Sequence, residues 1–241
     1  MNIDIWSDIA CPWCYIGKRR FESALAGFEH RDDVTVTWHS FQLDPSLPAH
    51  YDGTEIEYLS ERKGMPADRV TQMFAQVTEV AAGEGLAYDF ASVVVANSLP
   101  GHELLHLAAD HGVAGAVKEA LLSAHFEHGQ DIGDREVLVR IGTDAGLDAE
   151  EISAVLDSGR YRDAVSADVQ RAQSLGITGV PFFVLDEKYG ISGAQPVELF
   201  DQALRTAWAE ANPLVMVTPA GGTAGTGDDG LNGQACGPDG C

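Results

Sequence analysis

Apolar and polar positions along the chain follow two periods. The opening run Ile3-Asp4-Ile5-Trp6-Ser7-Asp8 reads as a strand over residues 3–8. Ile16, Phe21, Leu25 and Phe28 then recur at near-helical spacing and predict a helix over 13–29. Residues 34–41, from Val34 to Phe41, are β-branched and aromatic, which suits a second strand. From about 52 to 176 the pattern is helical, with glycine breaks. It predicts helices over 54–63, 66–82, 98–111, 114–127, 134–145, 148–157 and 160–174. Strand character returns at Phe182-Phe183-Val184-Leu185 and at Gly190-Ile191-Ser192-Gly193, with a short Asp186–Tyr189 turn between them, so a β-hairpin is expected. Val197 to Ala211 looks like a closing helix with Pro196 at its first turn.

This order predicts an α/β fold in which residues 1–51 and 177–212 form one domain. Residues 52–176 would be a helical domain inserted between the second and third strands. After Pro213 the composition shifts: residues 219–241 are dense in Gly and hold no Lys or Arg. Such a segment buries too little apolar surface to offset its ordering entropy, so 213–241 reads as a flexible tail.

Composition narrows the function. The 241 residues carry a formal net charge of −22, which argues against non-specific binding to nucleic acid or to anionic membrane surfaces. No apolar run reaches the roughly 20 residues that cross a bilayer. The first residues hold no basic region and no apolar signal core, which predicts a cytoplasmic, reducing setting. There, four cysteines read as catalytic or metal-binding rather than as structural staples.

The chemistry concentrates in Cys11-Pro12-Trp13-Cys14, at the junction of the first strand and helix. Two cysteines at this spacing can close into a disulfide without moving the backbone. A thiol at a helix start meets unpaired N–H groups and the positive end of the dipole, both of which favour the thiolate. A lone CxxC also serves metal and structural uses. Tyr15 in place of His excludes c-type haem. A β-α-β opening with CxxC at its first turn is the front half of a thioredoxin fold.

Five segments in order strengthen this. They are Asp8-Ile9-Ala10-Cys11-Pro12-Trp13-Cys14-Tyr15-Ile16-Gly17, Phe41-Gln42-Leu43-Asp44-Pro45, Asn97-Ser98-Leu99-Pro100-Gly101-His102, Gly176-Ile177-Thr178-Gly179-Val180-Pro181-Phe182-Phe183, and Ser192-Gly193-Ala194-Gln195. With them the chain resembles DsbA-family thioredoxin-like proteins, most closely the FrnE-like subgroup. That superfamily includes glutathione-dependent isomerases similar to 2-hydroxychromene-2-carboxylate isomerase, which carry Ser where this chain has Cys11. The resemblance implies a thioredoxin-like fold and a thiol–disulfide oxidoreductase or isomerase without a bound cofactor. It also implies a cis Val180–Pro181 bond facing the dithiol.

On this reading Cys11 is the nucleophile, Cys14 the resolving thiol and Pro181 the third catalytic residue. Pro12, Trp13, Val180, Asn97 and His102 are expected to contact substrate. Trp13 brings bulk but no charge, so Cys11 is expected to titrate below the reference of about 8.5 but well above the lowest values of this motif. Asp8 is a proton acceptor or a cap. The spacing of His102 and His106 on one helix face invites a metal reading, but no HExxH pattern supports it, and no metal is assigned. His125 and His128 read as surface residues. Cys236 and Cys241 flank the turn-forming Gly-Pro-Asp-Gly and suggest a second redox pair within reach of Cys11. Expected partners are protein or small-molecule thiols and disulfides, glutathione among them. The alternatives are a glutathione-linked isomerase of a small aromatic or polyketide compound, and a thiol-based stress, metal-binding or holdase protein. Oligomeric state, including a dimer through the helical insertion, is left open by the sequence.

Overall fold

The computed structural model describes residues 1–49 and 51–213. The expected tail and its Cys236/Cys241 pair lie outside them. Met1–Ala211 form one compact unit.

Among the described residues, four strands form one sheet in the order β2-β1-β3-β4. β1 (Asn2–Ser7) pairs in parallel with β2 (Thr35–Ser40), with Ile5 opposite Trp38. On its other edge β1 pairs antiparallel with β3 (Phe182–Leu185), which turns into β4 (Tyr189–Ser192). α1 (Pro12–Ala26) makes the crossover from β1 to β2. Seven helices separate β2 from β3: α2 (Glu55–Lys63), α3 (Ala67–Gly83), α4 (Leu99–Asp110), α5 (Ala114–Phe126), α6 (Arg135–Asp144), α7 (Ala149–Ser158) and α8 (Arg162–Ser174). α9 (Val197–Ala211) closes the unit. The fold is thioredoxin-like, with the helical segment between the second and third strands.

The alternation of strand side chains explains the layers. Ile3, Ile5, Phe183 and Leu185 point to one face, where Phe21 and Phe28 of the α1 segment and Phe200 and Leu204 of α9 cover them. Trp6 and Val184 point to the other and pack with Ala172 of α8 and Ile177. Polar groups pin α8 to that second face. Asp168 accepts from the Ser40 N–H at 2.7 Å and from His39 Nδ1 at 2.8 Å. It also pairs with His106 Nε2 at 3.2 Å. The other ring nitrogen of His39 meets Asp4 at 2.8 Å. Despite its burial, His39 between these two carboxylates is pushed up from its ordinary value.

The inserted helices do not bury a core wholly of their own. Ile9, from the turn after β1, packs with Leu104, Leu121 and Leu138 of α4, α5 and α6. Tyr15 and Ile16 of α1 pack with Val77 of α3 and Leu122 and Phe126 of α5. The Cys11–Cys14 turn is therefore clamped by both parts. Gly101 allows this approach, since a Cβ there would meet Ile9 Cδ1 at 2.6 Å.

Candidate active site

Cys11 is the N-cap of α1 and Pro12 follows at the first helical position. Proline fits there because its missing N–H would have had no partner. No side chain caps this helix. Both thiols are free and buried, Cys11 at 4% exposure and Cys14 at 1%. Cys11 lines an open pocket that Cys14 does not reach. The Val180–Pro181 peptide is cis, and the Cys11 thiol donates to Val180 O at 3.6 Å. Pro181 sits against Gly17 of α1, where a Cβ would lie 2.8 Å from Pro181 Cγ.

That contact gives a direct prediction. Gly17→Ala gains up to about 1 kcal/mol in helix propensity. It must also displace a proline ring, and overpacking costs roughly 1–3 kcal/mol. Urea denaturation should show a net loss of stability, with disulfide exchange also slowed. A variant more stable than the parent would refute the close-approach role of Gly17.

Behind the thiols lies a buried polar group. Asp8, 1% exposed, accepts from Leu43 N–H at 2.8 Å and from Ala10 N–H at 3.4 Å. The His102 Nε2–H donates to it at 3.1 Å. Burial works against the Asp8 carboxylate, but the His102 and Leu43 hydrogen bonds outweigh it and hold the group below its ordinary value. Burial pulls His102 down from its ordinary value, against the attraction of Asp8. His102 is thus fully buried rather than facing substrate, as had been expected of it. Asn97 is similarly spent on structure: it accepts from Gln42 and Leu99 and donates to Leu47 O. Its neighbours Ala96 and Ser98 line the pocket, and Asn97 does not. Among the described residues, no three His, Cys, Asp or Glu side chains gather as a metal site.

The thiols form a coupled pair that keeps one proton. The hydrogen bond to Cys14, then burial, then the charge of Asp8 push the Cys11 thiol well up. Burial works against the Cys14 thiolate too. It is outweighed by the hydrogen bond from Cys11, by the positive charge of Lys118 and by Ser7. The expectation of a lowered Cys11 value is therefore corrected. Its cause was sought in Trp13 and the helix start, whereas the hydrogen bond between the two thiols and their burial come first, with Asp8 and Lys118 adding to them.

The pocket beside Cys11 has a volume of about 400 Å³. Trp13, Leu43 and Met73 stand at 43%, 45% and 39% exposure and all line it. Phe74 and Val77 of α3 add apolar wall. Tyr88 donates from its hydroxyl to Pro12 O at 2.6 Å and holds the loop before α4 to the Cys11–Cys14 turn. Pro12, Trp13 and Val180 all line this space. So does His125, expected at the surface but only 2% exposed, with its Nδ1 unpartnered. Sequence reasoning also missed Lys118. Both lie on the apolar stripe of α5 with Leu121 and Leu122, at a spacing of seven, and a polar residue in that stripe was the available signal.

Residues 2–205 match the DSBA-like thioredoxin domain. The chain belongs to this family. A solved structure described as a probable DsbA oxidoreductase from Streptomyces coelicolor is 44% identical to it, with a TM-score of 0.83, covering 100% of this chain and 98% of that one. The same DsbA-like fold recurs at 21% identity and TM-score 0.59 in a cytosolic disulfide reductase, DsbM, from Pseudomonas aeruginosa, solved with GSH. That match covers 86% of this chain and 99% of the other. The fold also recurs in a 2-hydroxychromene-2-carboxylate isomerase, at 13% identity and TM-score 0.62, covering 88% and 98% of the two chains. Membership gives the dithiol of this DsbA-like chain its setting, that of a thiol–disulfide oxidoreductase family. Among the described residues, no helix is long and apolar enough to cross a membrane.

Proposed function

We propose that the chain exchanges disulfides through Cys11, with Cys14 as resolving thiol, on substrates that place an apolar group beside the reacting sulfur. The observation that carries this reading is the position of Cys11 in the wall of the apolar pocket. Cys11 thiolate attacks a substrate disulfide, one S–S bond breaks, one forms, and the first substrate thiolate leaves. Cys14 then attacks Cys11 Sγ, releases the second thiol and closes the Cys11–Cys14 disulfide. A low-molecular-weight thiol such as glutathione returns the pair to its reduced form. Run in reverse, the pair oxidises a dithiol, and release before Cys14 acts gives isomerisation.

Size narrows the substrate. A cavity of about 150 Å³ holds one benzene, so 400 Å³ takes a group of two or three rings. Glutathione, charged and polar along its length, does not match that wall and fits better as the group left outside. Glu55, which lines the pocket, is pushed by burial up to about 7 and so is partly uncharged near neutrality.

The test uses Cys14→Ala, which halts the reaction at the mixed disulfide. The trapping rate is followed by mass spectrometry with a naphthyl–glutathione mixed disulfide and with oxidised glutathione. Each rate is divided by that of a simple thiol with the same disulfide. We expect a preference of about tenfold for the naphthyl compound, lost when Met73→Asp charges the exposed part of the wall. Tenfold corresponds to burial of about 55 Å² at about 25 cal/mol per Å², so partial burial of the naphthyl group is enough. Equal normalised rates would overturn the apolar-substrate reading. The unpartnered His125 and the same pocket favour, as a second reading, isomerisation of a bound aromatic with glutathione as the thiol. That activity would survive in Cys14→Ala, whereas disulfide turnover would not.

A further inference from the structure

Lys118 is 1% exposed. A lysine is almost never so buried without a partner. Among the described residues its Nζ has no carboxylate at ion-pair distance, and its one close cation–π contact is the Trp38 ring at 5.8 Å. The neighbouring residue on α5 shows how the lysine is held there. Glu119 accepts from Tyr15 OH at 2.6 Å and from Lys18 Nζ at 2.5 Å, and pairs with Arg19 at 2.5 Å. These contacts lock α5 against α1 and carry Lys118 to the back of the dithiol.

The charged and titratable groups that face Lys118 are Cys14, Asp8, Cys11, Lys18 and His102. Three are already satisfied. Lys18 is balanced by Glu22 and Glu119. Asp8 is hydrogen-bonded by His102 and two backbone amides. His102 donates to that carboxylate. Cys11 is hydrogen-bonded to Val180 O. Cys14, 1% exposed on the helix that α5 covers, accepts from Cys11 and Ser7 and has Lys118 as its cationic neighbour.

We infer that Lys118 is a positioning residue for resolution, a fixed ammonium supplied by the inserted helix that holds Cys14 as thiolate for its attack on Cys11. The inference rests on Cys14 being the resolving thiol. In the mixed disulfide Cys14 has lost its proton to solvent. Its electron pair forms the bond to Cys11 Sγ while the Cys11–substrate bond breaks, and the departing substrate thiolate takes up a proton. Closing the disulfide removes the anion that Lys118 faced. Its ammonium then holds its proton less tightly, so oxidation of the pair and deprotonation of Lys118 are linked. Burial already pulls Lys118 down to about 8 in the reduced protein, against the attraction of Cys14 and Asp8.

The decisive measurement needs no variant. The chain has four lysines, so a 13C-lysine NMR titration can follow each one. The Lys118 midpoint should fall by about one pH unit when the pair is oxidised. An unchanged midpoint overturns the inference. Two substitutions add a second arm. In a Cys11→Ala background, Lys118→Met should raise the pH midpoint of Cys14 alkylation by about one unit, and Lys118→Arg should restore it. With both cysteines present, Lys118→Met should shift the equilibrium with glutathione about tenfold toward the disulfide, or roughly 30 mV. A purely structural lysine would move none of these in a folded protein. Absence of exchange activity in the parent would count against the proposed function while leaving the titrations as they are. Unchanged titrations would count against Lys118 alone.

Discussion

Replacing Cys11 with serine should bring turnover of a protein disulfide such as insulin down to the uncatalysed background, a loss of roughly a thousandfold or more. The reason is chemical. The nucleophile is a thiolate, and a hydroxyl neither ionises near neutral pH nor forms a disulfide. Cys11 is also the thiol that opens into the pocket, whereas Cys14 is 1% exposed and lines no part of it. Cys14 cannot stand in for it without movement of the turn. The substitution is nearly isosteric, so the denaturation midpoint should change little, which separates chemistry from folding. The assay is insulin reduction with dithiothreitol as electron source, compared with the reaction lacking protein. Retained activity in Cys11→Ser would remove the dithiol from the mechanism and leave the pocket as the functional centre.

The second large effect concerns stability toward acid. His125 is 2% exposed, its Nδ1 has no hydrogen-bond partner, and burial pulls it down to about 4. An unfolded histidine titrates near 6.5. Below that pH the unfolded chain takes a proton that the folded protein refuses, so stability is lost as pH falls from about 6.5 toward 4. The gap corresponds to roughly 3 kcal/mol, lost across that window. His102 is lowered too and works in the same direction. His39 works in the other: raised by Asp168 and Asp4, its contribution is full below 6.5 and fades above it. Two losses against one gain give an acid limb that begins in the histidine range. His125→Gln keeps a polar side chain and removes the titration. Urea midpoints at pH 7.5 and 4.5 should therefore differ less in this variant, by roughly 3 kcal/mol of stability. The same pH dependence in both proteins would show that His125 is protonated within the fold.

The histidine illustrates how far the sequence reached. It placed each strand and helix of the described unit within a few residues, because periodicity is local. Ile3 and Ile5 alternate with Asp4 and Trp6 whatever they pack against, and Thr54, Asp134 and Asp148 cap their helices with side chains three residues or fewer from the amides they meet. One short element, the 3₁₀ turn Arg31–Asp33, escaped notice, since a single turn carries no period. The dithiol and its place at a strand–helix junction were equally legible. The family itself was legible too, because its motifs are contiguous.

What sequence alone could not settle is whatever depends on distance through space in a buried medium. His125 has the same letters around it as a surface histidine would. Only the packing of α5 against α1 and α3 makes it the neutral wall of a pocket. His102 was expected beside substrate, and the fold turned it onto Asp8, 94 residues away. The proton of the thiol pair was expected to leave Cys11 first, on local grounds. The opposite direction comes from the hydrogen bond between the two buried thiols, to which Asp8, three residues before Cys11, and Lys118, on a separate helix, add their charges. Charges act over a few ångströms of low dielectric with energies that local pattern does not encode. The sequence by itself determined which groups could do chemistry and on which elements they lie. Tertiary structure alone decided which of them share a buried site, and which of the two thiols opens into a pocket.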